Sequence, residues 1–329
     1  MKILVTGGAG FIGSNLVDAL AVNNTHEIIV ADDFSTGSRE NVAQHAANPR
    51  VRVVALDIRD KYAVREIMRG VDVVYHLAVQ CIRVSIRDPY LVHDVNATGT
   101  LHLLTAALDE NVKRFVYCSS SEVYGTARRV PMDEEHPLVP TTPYGASKLA
   151  GETYARSFYL TYGLPVTIVR PFNTYGPREH FEGPYGEVIP KFVVRALNHA
   201  PLVIFGDGTQ TRDFTDVSDT VRGLIAAGEC DTLVGDVVNI ARGQDVNLRD
   251  LAQIVLDTLP DSQSAIEYQA PRPGDVLRHF ADISKAKRVL GFEPKIEIRQ
   301  GVKRYVDWLM RSEFDPREML SQEKLRNWE

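Results

Sequence analysis

The chain has 329 residues, 44% hydrophobic and 24% charged, with a net charge of −6, enough apolar material for one large or two moderate cores. Its charges are intermixed and form no basic stripe, which excludes nucleic acid as the main partner and an anionic membrane surface as a docking site. No apolar run approaches the ~20 residues that span a bilayer, and Cys81, Cys118 and Cys230 are scattered without metal-ligand spacing, as expected of small buried residues in a reducing compartment.

Met1-Lys2 leads at once into the apolar run Ile3-Leu4-Val5. That leaves no room for a signal peptide and predicts a cytoplasmic protein. Behind this strand stands Thr6-Gly7-Gly8-Ala9-Gly10-Phe11-Ile12-Gly13, then a helical stretch from Ser14 to Leu20. A strand, a glycine turn and a helix start point backbone N–H groups outward, where a pyrophosphate can sit. Gly7 and Gly10 permit the sharp turn and the close approach of phosphate, and Gly13 lets the helix pack on its strand. The next apolar strand, Glu27–Ala31, ends at Asp32-Asp33, about twenty residues past the last glycine, where a carboxylate meets the adenosine ribose diol. That charge repels a ribose 2′-phosphate, so the cofactor predicted is NAD.

Further apolar runs at Arg52–Leu56, Val71–Leu77, Arg114–Cys118 and Val166–Arg170 alternate with helical stretches. Near-continuous apolar strands separated by helices predict an α/β fold, a doubly wound parallel Rossmann sheet, with ligands outside the carboxyl ends of the strands. The residues at those exits are small or polar: Asp57-Ile58, Ala78-Val79-Gln80, Ser119-Ser120-Ser121-Glu122 and Pro171-Phe172-Asn173. Past residue 173 the chain is punctuated by Pro and Gly, while the helix Asp213–Glu229 and the strand Asp236–Ala241 read as returning to the main sheet. The expected division is a dinucleotide-binding domain of residues 1–172 plus about 213–243. A smaller α/β substrate-binding domain takes about 173–212 plus 244–314, and 315–329 form a polar tail.

Tyr144 and Lys148 stand four residues apart on one face of a helix start, just after Pro143. A phenol is a poor base at pH 7, but a nearby ammonium and the positive nicotinamide ring both favour its phenolate, which can then accept a hydroxyl proton. Ser120, at a strand exit, can bind the same substrate oxygen. These three groups suit hydride transfer between a substrate carbon and nicotinamide.

The sequence resembles the extended short-chain dehydrogenase/reductase superfamily over nearly its whole length, and within it the nucleotide-sugar epimerases and dehydratases. The resemblance rests on Thr6–Gly13, Asp32-Asp33, Asp57-Ile58, His76-Leu77-Ala78, Val95–Thr100, Ser119–Gly125, Tyr144–Lys148, Arg170–Pro177, Arg212–Phe214 and Pro271–Asp275. It implies Asp57 and Ile58 at the adenine, Leu77, Ala78 and Pro171 beside the cofactor, and Asn96 ordering the helix of Tyr144. It further implies Asn173, Arg212 and Arg272 around the substrate diphosphate, with Arg178 a further candidate. It also implies a homodimer packed through Asn96–Asn111 and Gly145–Tyr162, for which Leu101, Leu104, Leu108, Tyr154, Phe158 and Tyr162 supply apolar surface.

Such enzymes begin by oxidising the sugar at C4. A 4-epimerase then needs no further acid or base, whereas a 4,6-dehydratase needs a carboxylate near C5 and C6. Glu122 resembles the glutamate of dehydratases and decarboxylases at that place. The chain departs from the dTDP-glucose dehydratases in having Ser121 where they carry Asp, so Glu122 would serve as both base and acid, or Ser121 would assist. The expected reaction is nucleotide-hexose 4,6-dehydration, with 4-epimerisation, UDP-glucuronate decarboxylation using Arg83 as the carboxylate's cation, and a non-catalytic NAD-binding scaffold as alternatives.

Overall fold

The computed structural model describes residues 1–22, 25–183, 185–271 and 278–326. Its centre is a seven-stranded sheet. In chain order the strands are β1 (Lys2–Thr6), β2 (Glu27–Asp32), β3 (Val51–Ala55), β4 (Val73–His76), β5 (Arg114–Cys118), β6 (Val166–Pro171) and, much later, β11 (Val237–Ile240). They lie side by side as β11-β6-β5-β4-β1-β2-β3, every pair parallel. Strand order reverses between β1 and β4, which opens a crevice at their carboxyl ends. The sequence-predicted runs match these strands to within two residues at either end.

Helices cover both faces because nearly every strand side chain is apolar. One face packs on α1 (Phe11–Ala21) and α8 (Val217–Glu229), around Leu16, Val30, Val221 and Leu224. The other packs on α2 (Lys61–Met68), α5 (Thr100–Asp109) and α6 (Pro143–Tyr162), around Leu4, Val74, Leu104 and Phe158. Leu104 and Phe158 therefore cover the sheet and present no surface to a partner, which corrects the reading of both as dimer residues. Leu101 and Leu108 pack against the same core, while Tyr154 and Tyr162 are exposed.

α8 begins four residues later than the sequence suggests. Thr215-Asp216 forms a short strand, β10, paired with β7 (Thr174–Tyr175), and the Asp216 carboxylate caps the helix through the Ser218 N–H at 2.9 Å. A capping side chain fixes the boundary more sharply than apolar periodicity does. Between β4 and α5 run α3 (Ile82–Arg87), α4 (Pro89–His93) and a π-turn over Asp94–Gly99, so the helix read from Asn96 starts as α5 only at Thr100.

A separate core around Phe192, Ile204, Leu251 and Tyr305 joins α7 (Val188–Leu197), β8 (Leu202–Phe205), α9 (Leu248–Thr258) and α11 (Ile298–Arg311). Parallel to β8 runs β13 (Ile266–Gln269), while β9 (Thr211–Arg212) lies between β12 (Val246–Asn247) and β14 (Arg278–His279). α10 (Ser284–Leu290) returns to β11. The terminal stretch, read as a polar tail, carries α12 (Pro316–Gln322), whose Met319 is buried in this second core.

Among the described residues no helix is long and apolar enough to cross a membrane, and no cluster of His, Cys, Asp or Glu is arranged to hold a metal ion.

Candidate active site

A cavity of about 780 Å³ runs from the glycine turn, past the ends of β4, β5 and β6, to α7 and β8. At the turn, Gly7 has φ +67°, and a Cβ on it would lie 2.6 Å from the Ala78 nitrogen. On Gly13 a Cβ would lie 2.0 Å from the Gly7 carbonyl oxygen. Neither position accepts a side chain, so the turn stays tight and α1 starts directly behind it. No side chain caps α1, which leaves its first N–H groups for an anion in the cavity lined by Gly7, Gly10, Phe11 and Ile12.

Asp32 and Asp33 also line this end. Asp32 is buried and accepts the Ala9 N–H and the Phe34 N–H, both at 2.9 Å, so it ties β2 to the glycine turn. Burial is the larger effect and raises its carboxyl above the ordinary value against those two bonds. Asp33 is exposed and accepts from the Ser35 N–H and hydroxyl at 2.9 and 2.7 Å. Asp57, Ile58, Leu77 and Ala78 complete the same wall. Tight glycines, free helix-start donors and two acidic side chains fit a dinucleotide without a 2′-phosphate.

Asn96 does not line the cavity. It stands behind the wall, accepting the Gln80 N–H at 2.8 Å while its amide donates to the Gln80 carbonyl at 3.0 Å and the Ser147 hydroxyl at 2.9 Å. Placed in the π-turn, it ties the exit of β4 to the N-terminal part of α6, the helix of Tyr144, and so belongs behind the cofactor end of the cavity and not among the residues that line it.

The catalytic candidates converge as the spacing suggested. Thr142 caps α6 by accepting the Gly145 N–H at 3.1 Å, and Pro143 occupies its first position. This aims Tyr144 and Lys148 at the exit of β5, and Ser120, Ser121, Glu122, Tyr144 and Lys148 all line the cavity. Ser120 hydrogen-bonds Tyr144, and its hydroxyl oxygen also accepts the Glu122 N–H at 3.2 Å. The buried Lys148 ammonium donates to the Cys118 carbonyl at 2.5 Å and lies 4.5 Å from the centre of the Tyr117 ring.

Their protonation differs from the simple expectation. Burial pushes the Tyr144 phenol up, the Ser120 hydrogen bond pulls it down, and the charge of Glu122 pushes it up again. Burial likewise draws Lys148 down to about 8. These residues by themselves therefore keep Tyr144 a phenol at neutral pH, and the positive nicotinamide ring is needed to favour the phenolate.

Behind the site a buried ion pair joins Glu152 to Arg170. Glu152 accepts from the Ser119 hydroxyl at 2.8 Å, and Arg170 donates to Tyr124 Oη at 2.8 Å. This network pins the strand exit that carries Ser120. Sequence reading counted Arg170 in a motif and missed Glu152, although its position one turn after Lys148 on the same helix face was the available signal.

The substrate candidates separate. Pro171, Asn173, Arg212 and Arg83 line the cavity, and the buried Asn173 Nδ2 has no hydrogen-bond partner. Arg178 is turned away onto α1, where it pairs with Asp18 at 2.7 Å. Arg178 follows the Gly176-Pro177 turn at φ 72°, and its largely buried guanidinium lies against α1 and not in the cavity wall, which corrects its placement at the diphosphate. Arg272 lies outside the described residues. Arg83 holds Glu187 through both arms of its fork, at 2.7 and 2.8 Å. His279 was missed in the sequence: β14 brings it beside Arg212, it hydrogen-bonds the Ser121 backbone, and burial lowers its ring to about 4, so it is neutral at pH 7.

Comparison with known proteins agrees with this geometry. Residues 4–305 match the GDP-mannose 4,6 dehydratase family model. The chain is 37% identical to UDP-glucuronic acid decarboxylase 1 of Arabidopsis thaliana, over 93% of this chain and 69% of that one. It superposes on a dTDP-glucose 4,6-dehydratase of Streptomyces venezuelae, solved with NAD bound, with a TM-score of 0.87 and 37% identity, covering 94% and 97% of the two chains. It superposes equally on the UDP-glucose 4-epimerase of Thermotoga maritima, solved with UDP-glucose, with a TM-score of 0.89 and 34% identity over 94% and 99%. The chain thus belongs to the NAD-dependent nucleotide-sugar epimerase/dehydratase family of extended short-chain dehydrogenase/reductases.

Proposed function

We propose that the protein is a nucleotide-hexose 4,6-dehydratase. The carrying observation is that Glu122 faces the same cavity as Ser120 and Tyr144 and is electrostatically coupled to the Tyr144 phenol. Gly7, Gly10, Phe11, Ile12 and Gly13 would hold the dinucleotide phosphates, Asp32 and Asp33 the adenosine ribose, Asp57 and Ile58 the adenine, and Leu77, Ala78 and Pro171 the nicotinamide end. NAD supplies a hydride acceptor that later returns the hydride to the sugar. Ser120 orients the C4 hydroxyl while Tyr144, assisted by Lys148, takes its proton. Glu122 then removes the acidified C5 proton and delivers it to the C6 hydroxyl, which departs as water; the hydride returns to C6 and Glu122 relays a solvent proton to C5. Asn173 and Arg212 would bind the diphosphate, where a guanidinium fork suits phosphate oxygens.

A second reading, 4-epimerisation, is supported by the superposition on the Thermotoga enzyme. UDP-glucuronate decarboxylation is less favoured, because both donor arms of Arg83 are engaged by Glu187. A non-catalytic scaffold would have no use for Ser120, Tyr144 and Lys148 in one cavity.

Incubation with UDP-, dTDP- and GDP-hexoses should yield a 4-keto-6-deoxy product from one of them. C4 epimers without that product would refute dehydration. Glu122→Gln should lower formation of the product by about 10²-fold or more while sugar-dependent NADH absorbance still appears. We further propose a cytoplasmic homodimer using the exposed Tyr154 and Tyr162 face of α6, which light scattering tests.

A further inference from the structure

The terminal segment after α12 reaches the cavity: Glu323 and Leu325 line it together with Lys191, Phe192 and Arg195 of α7. The segment is fixed at several independent points. Gly183 N–H donates to the Gln322 carbonyl at 3.0 Å, and Asn198 Nδ2 donates to the Pro316 carbonyl at 2.7 Å. The Glu323 carboxylate, only 5% exposed, takes Arg195 Nε at 2.9 Å. Lys191 Nζ donates to the carbonyls of Lys324 and Leu325 at 2.8 and 3.4 Å.

An ammonium has three donors, and those two carbonyls take two of them. The third is left for an acceptor in the cavity. The same cavity is also lined by the apolar side chains of Phe192, Val203, Phe205 and Leu248, and a flat ring with carbonyl oxygens is bound by such contact area plus a few placed polar groups. We propose that residues 323–325 are a strap built into the substrate site, which positions Lys191 to donate a hydrogen bond to the nucleotide part of the substrate and closes that end of the cavity. This rests on the reading of the ligand as a nucleotide-activated sugar.

The test is calorimetric titration of NAD-loaded protein with UDP, dTDP and GDP, on the intact chain, Lys191→Met, Glu323→Ala and a chain ending after Gln322. The expected result is about tenfold weaker binding of the preferred diphosphate in Lys191→Met and in the shortened chain, and about threefold in Glu323→Ala. NAD content should stay unchanged in Lys191→Met and its thermal midpoint should not fall, which keeps the proposal testable if the shortened chain fails to fold. In turnover, KM for the nucleotide sugar should rise with kcat nearly constant. Unchanged affinity in Lys191→Met, or tighter binding by the shortened chain, would overturn the proposal while leaving the functional reading intact. An intact holoenzyme that binds none of UDP, dTDP and GDP would overturn both.

Discussion

The two sides of the cavity are built on different principles. On the β5–α6 side, groups from one stretch of the chain, Cys118 to Lys148, meet in the interior and are held by backbone: Lys148 by the Cys118 carbonyl, α6 by its Thr142 cap, and Ser120 by the Glu122 N–H. On the α7 side, charges from distant parts of the chain alternate across the wall, Arg83 with Glu187 and Arg195 with Glu323. The first arrangement fixes reacting atoms at a set distance, as proton transfer requires. In the second, Glu187 is the exposed partner of its pair while the Glu323 carboxylate is buried against Arg195, so ion pairs between distant segments shape this wall.

The difference can be broken most severely at Tyr144. Tyr144→Phe should cut turnover by about 10³-fold or more while NAD stays bound; full activity would remove Tyr144 from its role. Next in size is the support behind the rigid side. Glu152→Ala leaves the Arg170 guanidinium unpaired in the interior, and chemical unfolding should show a loss of about 3–5 kcal/mol; a loss under about 1 kcal/mol would mean that the pair is solvated in solution.

Protonation sharpens the contrast less drastically. Burial draws both Lys148 and Lys191 from 10.5 down to about 8. Between about pH 8 and 10.5 the unfolded chain binds protons that the native chain has released, so the contribution of these lysines to stability rises with pH. Below about 8 both states are protonated and the burial cost is fully present. Lys148→Met should therefore abolish turnover yet raise stability near neutral pH by on the order of 1 kcal/mol and reduce the pH slope, as read from urea midpoints across this window. Equal slopes in both proteins would contradict it. The smallest effect belongs to Arg178, whose partner is Asp18: Arg178→Ala should leave KM for the nucleotide sugar within about twofold, and a tenfold rise would put the guanidinium back at the substrate.

Much of the rigid side is legible in the amino-acid sequence alone. Strand runs, the glycine turn and the Tyr144–Lys148 spacing are local properties, set by side-chain polarity, backbone freedom and the 3.6-residue period. Hence the sheet, the glycine turn and the serine, tyrosine and lysine constellation can be read from it. The direction of Arg178, the engagement of Arg83 by Glu187, the arrival of His279 beside Arg212 and the strap at Glu323 cannot. Each depends on a contact between residues far apart in the chain, where one backbone angle or one competing carboxylate decides where a long side chain ends. The sequence by itself determined the sheet, the glycine turn and the candidate groups at the strand exits, because their causes act within a few residues. Only the tertiary structure decided which charges face the cavity, because a charge goes wherever its nearest partner lies in space.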